Sequence, residues 1–250
     1  MIKPRDYFSE GAEGYKKYRP VYPEALYQYI YTHLDRNACA WDCATGNGQV
    51  ATALADHFEK VYATDISSHQ LEMAPKRENI SYEISRAEGT HYPDNHFDLI
   101  TVGQALHWFD REHFFQEVHR VAKPSGVLAI WGYGLPRICP KVDTLLSEFC
   151  NQVLAEYWDF DRSTKPYQLS QESDFFMEIK GKSEFVIEQL MSKAELTGYL
   201  YTWSAVKEYL KHNQDDPVQD LMRRMEKVWK GNQQKLTRFS IFLKLRRINK

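Results

Sequence analysis

Long apolar runs are missing from this chain of 250 residues, and no stretch approaches the roughly 20 apolar residues of a membrane span. Residues 1–20 also lack the apolar core of a secretion signal, so we expect a cytoplasmic protein with no membrane partner. A charge excess is missing as well, because 32 basic and 34 acidic residues leave a formal net charge of -2. No global field attracts nucleic acid, and a small-molecule partner is favoured.

Cysteine is scarce, and the four present do not form the paired doublets of a zinc site: Cys39, Cys43, Cys139 and Cys150. We therefore expect reduced, mostly buried thiols and no bound metal. Internal repeats and low-complexity segments are also missing. A hydrophobic content of 43% is enough for one domain with a modest added lobe.

Short apolar strands alternate with amphipathic helices along the first half of the chain. Strands are predicted at 38–42, 60–64, 80–85, 97–102 and 127–131. Helices are predicted over 50–58, after the Ser-x-x-Gln capping pattern that begins at Ser67, and over 110–121 with Asp110 as N-cap. This order is typical of an α/β protein with a doubly wound, mostly parallel sheet.

The whole chain, 1–250, is predicted to be one domain in four parts. Segment 1–23 interleaves aromatic with polar residues and is expected to pack over a ligand. Residues 24–134 form the ligand-binding core, and the aromatic-rich range 135–183 is expected to be a helical lid or substrate lobe. Residues 184–250 complete the sheet, with a strand at 185–190, helices over 193–210 and 217–230, and a closing strand at 239–245.

A glycine-bearing loop, Asp42 to Gly48, follows the first predicted strand. Gly46 and Gly48 let the backbone approach a ligand closely and aim its amides at that ligand. The pattern G-x-G-x-x-A, with Asp65 19 residues beyond Gly46, fits a dinucleotide fold equally well. Asp42 separates the alternatives, because a carboxylate repels a pyrophosphate and favours a nearby ammonium or sulfonium. S-adenosylmethionine carries both cations and no phosphate.

With these features the sequence resembles the class I S-adenosylmethionine-dependent methyltransferases, and within them the small-molecule branch similar to trans-aconitate methyltransferase. The resemblance rests on the entry segment 15–23, the loop 42–48, and the segments 64–67, 87–88, 98–110 and 201–205. The family usually carries D-x-G-x-G-x-G, and Ala44 replaces the first glycine. That replacement is small if the backbone stays at negative φ, since only a left-handed conformation penalises a Cβ.

The resemblance implies a Rossmann-like seven-stranded sheet with an added helical lid, and S-adenosylmethionine as cofactor. It implies that Asp65 accepts hydrogen bonds from both ribose hydroxyls and that Arg19 pairs with the cofactor carboxylate. The cofactor-binding candidates are Tyr18, Arg19, Asp42, Ala44, Gly46, Gly48, Asp65, Ile66, Ala87, Glu88, Gln104 and Ala105. The candidates for the acceptor pocket are His107, Trp108, Tyr133, Tyr201 and Trp203.

Methyl transfer from a sulfonium is an in-line displacement that needs alignment and desolvation, and needs a base only if the acceptor must lose a proton. His107 is the candidate base, since an unperturbed histidine pKa of about 6.5 suits that task. The alternative role of His107 is to shape the pocket without transferring a proton. A carboxylate acceptor would already be ionised and would need no base.

A small-molecule methyl acceptor is the preferred partner, with a carboxylate oxygen favoured by the resemblance. No Asn-Pro-Pro-Tyr type tetrapeptide follows the fourth strand, which argues against an exocyclic adenine or glutamine nitrogen. Three alternatives stay open at this point: an RNA or protein acceptor, an NAD-dependent oxidoreductase, and a non-catalytic cofactor binder. The late basic cluster is interpreted as a solvated face, and a monomer or homodimer is expected.

Overall fold

The computed structural model describes residues 17–158 and 175–250. Residues 1–16 of the predicted entry segment and 159–174 of the predicted lid lie outside the described residues. The described strands are β1 Cys39–Cys43, β2 Lys60–Asp65, β3 Ile80–Ile84, β4 Phe97–Gly103, β5 Ala122–Tyr133, β6 Phe176–Glu178, β7 Glu184–Met191 and β8 Lys235–Ile248. The described α-helices are α1 Glu24–Tyr31, α2 Gln49–Ala55, α3 Ser68–Glu72, α4 Arg111–Val121, α5 Pro140–Glu148, α6 Lys193–Tyr201, α7 Ser204–His212 and α8 Pro217–Met225.

The strands form one mixed sheet in the order β3-β2-β1-β4-β5-β8, with β6 and β7 beyond β8. All pairings from β3 to β5 are parallel, whereas β8 is antiparallel to β5, β6 and β7. The carboxyl ends of β1, β2, β4 and β5 therefore meet at one edge of the sheet. In doubly wound sheets this edge binds the ligand.

Strand alternation places a separate hydrophobic core on each face of the sheet. In β5, Val127, Ala129 and Trp131 belong to the core on one face, while Leu128 and Ile130 belong to the core on the other. Helices α1 and α2 contribute to the first core, and the phenylalanines of α4 contribute to the second. The prediction of an α/β doubly wound sheet is confirmed.

The sheet has eight strands where seven are expected, because the outermost position is divided between β6 and β7. The Ile179 N–H donates to the Leu245 carbonyl and the Leu243 N–H donates to the Ser183 carbonyl, so residues 180–182 bulge from the ladder. A Cβ on Gly181 would lie 2.2 Å from the Tyr29 hydroxyl, so a larger residue in this bulge would require the Tyr29 side chain to move. β6 therefore places part of the predicted lid range, 135–183, in the sheet.

The helices after the sheet core differ from the prediction in one respect. The single helix predicted over 193–210 is two helices, α6 and α7, because Trp203 is extended, with φ -73° and ψ 133°. Helix α6 begins with a full capping box between Ser192 and Glu195, which fixes its first turn. Within the described part of the lid range, α5 continues into a π-helical turn, Phe149–Val153, and a 3-10 turn, Ala155–Tyr157.

Candidate functional site

Asp42, at the end of β1, lies beneath the glycine loop and holds it in place. Its carboxylate is 1% exposed and accepts hydrogen bonds from the Thr45 hydroxyl, the Thr101 hydroxyl (2.8 Å) and the Ala51 amide (3.0 Å). Burial raises its pKa to about 6, against the lowering effect of these three donors. Sequence reasoning missed Thr101, although the register of β1 with β4 sets it directly beside Asp42.

The two loop glycines play different roles in the structure. Gly48 has φ +80°, and a Cβ there would lie 2.6 Å from the Tyr82 hydroxyl, so this glycine is required by packing. Gly46 has φ +55°, and the nearest atom to a Cβ there would be the Gln70 Oε1 at 3.9 Å. The open side of Gly46 is therefore a cradle that a methyl group would fill, as a closely approaching ligand requires.

Ala44, which replaces the family's first glycine, has φ 55°. The condition under which the replacement would be small, a negative φ, is not met. Left-handed backbone costs an L-residue with a Cβ roughly 1–2 kcal/mol. The loop keeps the glycine-like conformation and carries strain at this position.

Asp65, at the end of β2, closes the loop from the other side. One carboxylate oxygen accepts from the Gly46 amide (2.8 Å) and the other from the Ser67 amide (2.9 Å). An ionised carboxylate has about four lone-pair sites, so each oxygen keeps capacity for a further donor such as a ribose hydroxyl. Next to it, Ile66 is 42% exposed, an apolar surface beside the acid.

The predicted site residues after β3 and β4 are buried or form hydrogen bonds that connect loops at the carboxyl edge of the sheet. Ala87 is buried, and the Glu88 carboxylate accepts from the Arg86 Nε (3.1 Å) and the Asp110 amide (3.0 Å). Glu88 therefore ties the loop after β3 to the start of α4. The Gln104 side-chain amide donates to the Tyr133 carbonyl (3.1 Å), joining the ends of β4 and β5, and Ala105 is buried behind it.

Arg19 brings distant elements together over the ends of β4 and β5. Its guanidinium donates to the Tyr133 hydroxyl (3.1 Å) and to the Thr202 carbonyl (3.1 Å), and it lies 5.5 Å from the centroid of the Tyr199 ring. The preceding Tyr18 packs its ring on Gly198 of α6. Tyr199 and Thr202 were missed by sequence reasoning, because nothing local in the sequence connects α6 with Arg19.

His107 lies in a 3-10 turn, Leu106–Trp108, after β4, with the Trp108 ring 4.7 Å away. Burial, with the cations of Arg19 and Arg111, lowers the pKa of His107 from 6.5 to about 3. The expectation of a pKa suited to a general base is therefore wrong. His107 is neutral at physiological pH, and its conjugate acid is too strong for an efficient base.

Two predicted pocket residues, Tyr201 and Trp203, have partners within the helical layer, and their place in an acceptor pocket stays a prediction. The Tyr201 hydroxyl donates to Asp216 (2.6 Å), whose carboxylate caps the first turn of α8, so its polar group serves that helix. Trp203 is 4% exposed, with its ring centroid 5.8 Å from that of Tyr199, 5.7 Å from that of Trp158 and 6.2 Å from that of Phe149. Both residues build the helical layer behind Arg19, whereas Tyr133 contacts Arg19 directly.

The late basic residues and the cysteines take no part in the hydrogen bonds described above, although Cys43 lies directly between Asp42 and Ala44 in the chain. Five of the basic residues each have an acidic partner: Arg223 with Asp220, Arg224 with Glu148, Arg238 with Glu188, Arg246 with Glu178 and Arg247 with Asp35. All four cysteines are free, and burial raises the pKa of the Cys43 thiol well above its usual range. In residues 17–158 and 175–250 no group of three or more His, Cys, Asp or Glu is placed to hold a metal ion. None of the helices described is long and apolar enough to cross a membrane.

The donor set at the edge fits S-adenosylmethionine. Asp65 offers carboxylate oxygens for a ribose diol, Gly46 admits close contact, and Asp42 supplies negative charge next to the loop. A pyrophosphate would meet the carboxylate of Asp42 beneath the loop, whereas Asp65 would serve the ribose of either cofactor. The chemistry of the site thus separates the two cofactors that the glycine pattern alone leaves open.

Comparison with known proteins also relates this chain to methyltransferases. The family model described as a methyltransferase domain matches residues 41–130. A protein of Dictyostelium discoideum named as a methyltransferase is 31% identical over 235 residues, which cover 90% of this chain and 87% of that protein. A methyltransferase of Aspergillus candidus is 32% identical over 160 residues, which cover 59% of this chain and 50% of that protein.

A solved structure named as a type II methyltransferase from Anaeromyxobacter dehalogenans superposes with a TM-score of 0.80 at 30% identity. That match covers 91% of this chain and 97% of the solved one. The cofactor of this family is S-adenosylmethionine. The chain belongs to the class I S-adenosylmethionine-dependent methyltransferases.

Proposed function

We propose that this methyltransferase transfers the methyl group to a small-molecule acceptor, at a carboxylate oxygen. The observation that carries the proposal is a pair of arginines, Arg19 and Arg111, whose positive charges both act on His107. Arg19 lies beside Tyr133 and Thr202 and is assigned to the cofactor carboxylate, so Arg111 supplies the positive charge that is left for the acceptor. A positive potential at this point favours an anionic acceptor over an amine.

Within this proposal, Arg19 pairs with the carboxylate of the cofactor, and Arg111 keeps the acceptor region positive. Asp65 and Gly46 hold the ribose end, and Ile66 and Ala87 contact the adenine. The cofactor supplies an electrophilic methyl group when bound. The chain's own residues orient the two molecules and exclude water, since a displacement of this type gains its rate from alignment.

His107 has a different role in this proposal from the one its residue type suggests. A neutral imidazole donates a hydrogen bond through one ring nitrogen, and a carboxylate acceptor needs no proton removed. We therefore assign His107 to hold the acceptor carboxylate as a donor. The turnover rate should then stay flat between pH 7 and 9, because the pKa of His107, about 3, and that of Asp42, about 6, both lie below that range.

The test is a methyl-transfer assay with small dicarboxylic and tricarboxylic acids, each paired with its primary amide. We expect base-labile methyl esters from the acids and no product from the amides. Arg19→Lys keeps the charge and loses the planar fork, whereas Arg19→Gln loses both. Both variants should bind S-adenosylhomocysteine more weakly, the second by tenfold or more. Transfer to amines, or equal transfer to acid and amide, would contradict the carboxylate acceptor.

The other functions weighed from the sequence are less well supported. Family membership disfavours an oxidoreductase, and the ion-paired late arginines give no argument for an RNA or protein acceptor. A non-catalytic binder would retain S-adenosylhomocysteine binding and give no product with any acid of the panel.

A further inference from the structure

We propose that Gly198 of α6 is a positioning residue for the site, because it forms the seat of Tyr18 and thereby fixes Arg19. A Cβ on Gly198 would lie 2.5 Å from the Cε2 and Cζ of the Tyr18 ring and 2.7 Å from its Cδ2. Ordinary carbon contacts are 3.5–4.0 Å. The ring therefore occupies the space that any other residue at position 198 would fill.

We name residues 18–22, the segment that carries Tyr18, the entry strap. The entry strap is attached to the rest of the protein at three places. Its first attachment is the Tyr18 ring on Gly198. Its second is the Arg19 guanidinium on Tyr133 and Thr202. Its third is Gln49, the first residue of α2, which donates to the Pro20 carbonyl (3.3 Å) and accepts from the Tyr22 amide (3.4 Å). The entry strap thus joins α6 to the helix that follows the glycine loop.

A methyl group at position 198 would act on Arg19 through this attachment. The Tyr18 ring would have to move by about 1 Å to restore normal contact distances. Adjacent Cα atoms are 3.8 Å apart, so part of that movement reaches Arg19. Both hydrogen bonds of Arg19 are already 3.1 Å long, near the upper end of the normal range, and an outward shift breaks them.

This inference rests on the proposed role of Arg19 in binding a carboxylate, and the experiment separates the two. The proteins are the wild type, Gly198→Ala, Tyr18→Ala, the double variant and Arg19→Gln, each titrated calorimetrically with S-adenosylhomocysteine. We expect Gly198→Ala to weaken binding tenfold or more. In the Tyr18→Ala background the same change should alter the dissociation constant less than twofold, because no ring remains to be displaced.

The coupling in binding is the readout that a merely structural role would not produce, and thermal unfolding reports separately whether the Tyr18 ring is seated on Gly198. Alanine favours a helix over glycine, so Gly198→Ala should raise Tm in the Tyr18→Ala background and raise it less, or not at all, in the wild type. Thr197→Ala, on the same helix, is the matched control: it adds no atom near Tyr18 and should leave binding unchanged. Wild-type binding by Gly198→Ala, or equal weakening with and without Tyr18, would overturn the inference.

Arg19→Gln identifies which idea has failed. If it weakens binding while Gly198→Ala does not, the seat has no positioning role and the role of Arg19 stands. If Arg19→Gln binds as the wild type does, the proposed role of Arg19 is wrong. The coupling between Tyr18 and Gly198 in Tm would still show whether the ring is seated on Gly198. Because Arg19 would then have no role in binding, the positioning role of Gly198 would be overturned together with that of Arg19.

Discussion

The two ends of the site are built from contacts of very different sequence separation. On the proposed cofactor side, formed by Asp42, Gly46 and Asp65, partners lie 3, 9 and 19 residues apart, with Thr101 as the exception at 59. On the proposed acceptor side, where Arg19 is assigned to the cofactor carboxylate next to the acceptor, its partners Tyr133 and Thr202 lie 114 and 183 residues away. The first side is a local motif on a strand-loop-helix unit. The second exists only after the whole sheet and the helical layer have come together.

This difference has an energetic counterpart. The cofactor side is held by backbone amides and buried hydroxyls bonded to carboxylates, which are charge-assisted bonds. The acceptor side is held by one guanidinium on a hydroxyl and a carbonyl, with an aromatic ring below it. Substitutions on the cofactor side should therefore affect both folding and binding, whereas those on the acceptor side should mainly affect binding.

The largest effect is expected from Asp65→Ala. In the proposed site Asp65 makes two charge-assisted bonds to the ribose, each worth roughly 1.5–3 kcal/mol, so their loss should lower affinity for S-adenosylhomocysteine by about 100-fold or more. Titration calorimetry measures it, and Asp65→Asn, which keeps the shape, should fall less. An Asp65→Ala protein that binds within threefold of the wild type would remove Asp65 from the site and break the comparison at its cofactor side.

Substitutions of the two loop glycines, Gly46 and Gly48, separate an effect on packing from an effect on binding within three consecutive residues. Gly48→Ala combines left-handed strain with a 2.6 Å contact to the Tyr82 hydroxyl, and should lower the free energy of unfolding by about 3 kcal/mol. Gly46→Ala has room for its methyl, so it should cost about 1–2 kcal/mol of stability. It should also weaken S-adenosylhomocysteine binding by tenfold or more.

Denaturant unfolding and calorimetric titration of both glycine variants give these values. Tyr82→Phe is the control, since removing the hydroxyl should recover part of the stability that Gly48→Ala loses. If the two variants lose stability equally and bind equally, the loop has no open side at Gly46. The distinct roles assigned to the glycines would then be withdrawn.

Asp42 couples the cofactor side to pH. Its folded pKa of about 6 lies above its ordinary value of 3.8, so its stabilising contribution is complete below pH 3.8 and is lost as pH rises through 6. The loss corresponds to about 3 kcal/mol. Urea unfolding at pH 4, 5, 6 and 7 should therefore show a decline in the wild type relative to Asp42→Asn, which cannot ionise.

Cofactor binding should also change the protonation of Asp42. A cation next to the carboxylate lowers its pKa, so cofactor binding near pH 6 should release a proton, and that release should vanish in Asp42→Asn. Calorimetric titrations in buffers of different ionisation enthalpy measure it. A wild type that releases no more protons than the variant would place the cation away from Asp42.

The part of the fold that could be predicted corresponds closely to the cofactor side. Apolar runs located β1, β2, β3 and β4 to within two residues, because buried parallel strands read as continuous hydrophobic stretches. The break between α6 and α7 at Trp203 could not be predicted, since neither glycine nor proline marks it. Tyr201 and Trp203 were predicted beside the acceptor because of their residue types. Their actual partners, Asp216 and the aromatic cluster around Trp203, depend on tertiary packing that no local pattern records.

The pKa of His107 likewise depends on residues that are distant in the chain and that the local sequence does not identify. Its residue type predicts a titrating group near pH 6.5, but burial and two arginines, one of them 88 positions away in the chain (Arg19), lower the pKa to about 3. Electrostatic environment is a sum over neighbours brought together by folding. Sequence reasoning therefore identified the residue at this position and not its protonation state.

The smallest effect, and the sharpest test of the loop itself, is expected from Ala44→Gly. Relief of left-handed strain at φ 55° contributes about 1–2 kcal/mol, and the added freedom of glycine in the unfolded chain offsets about 0.4–1 kcal/mol. Tm should therefore rise slightly, by an amount worth about 1 kcal/mol or less. Ser125→Gly, at φ 62° in β5, is the matched control and should give a similar gain without touching the site. S-adenosylhomocysteine affinity should stay the same in both variants, because the loop already holds the glycine-like conformation. A loss of stability in Ala44→Gly alone would mean that the Ala44 methyl is part of the packing on the cofactor side.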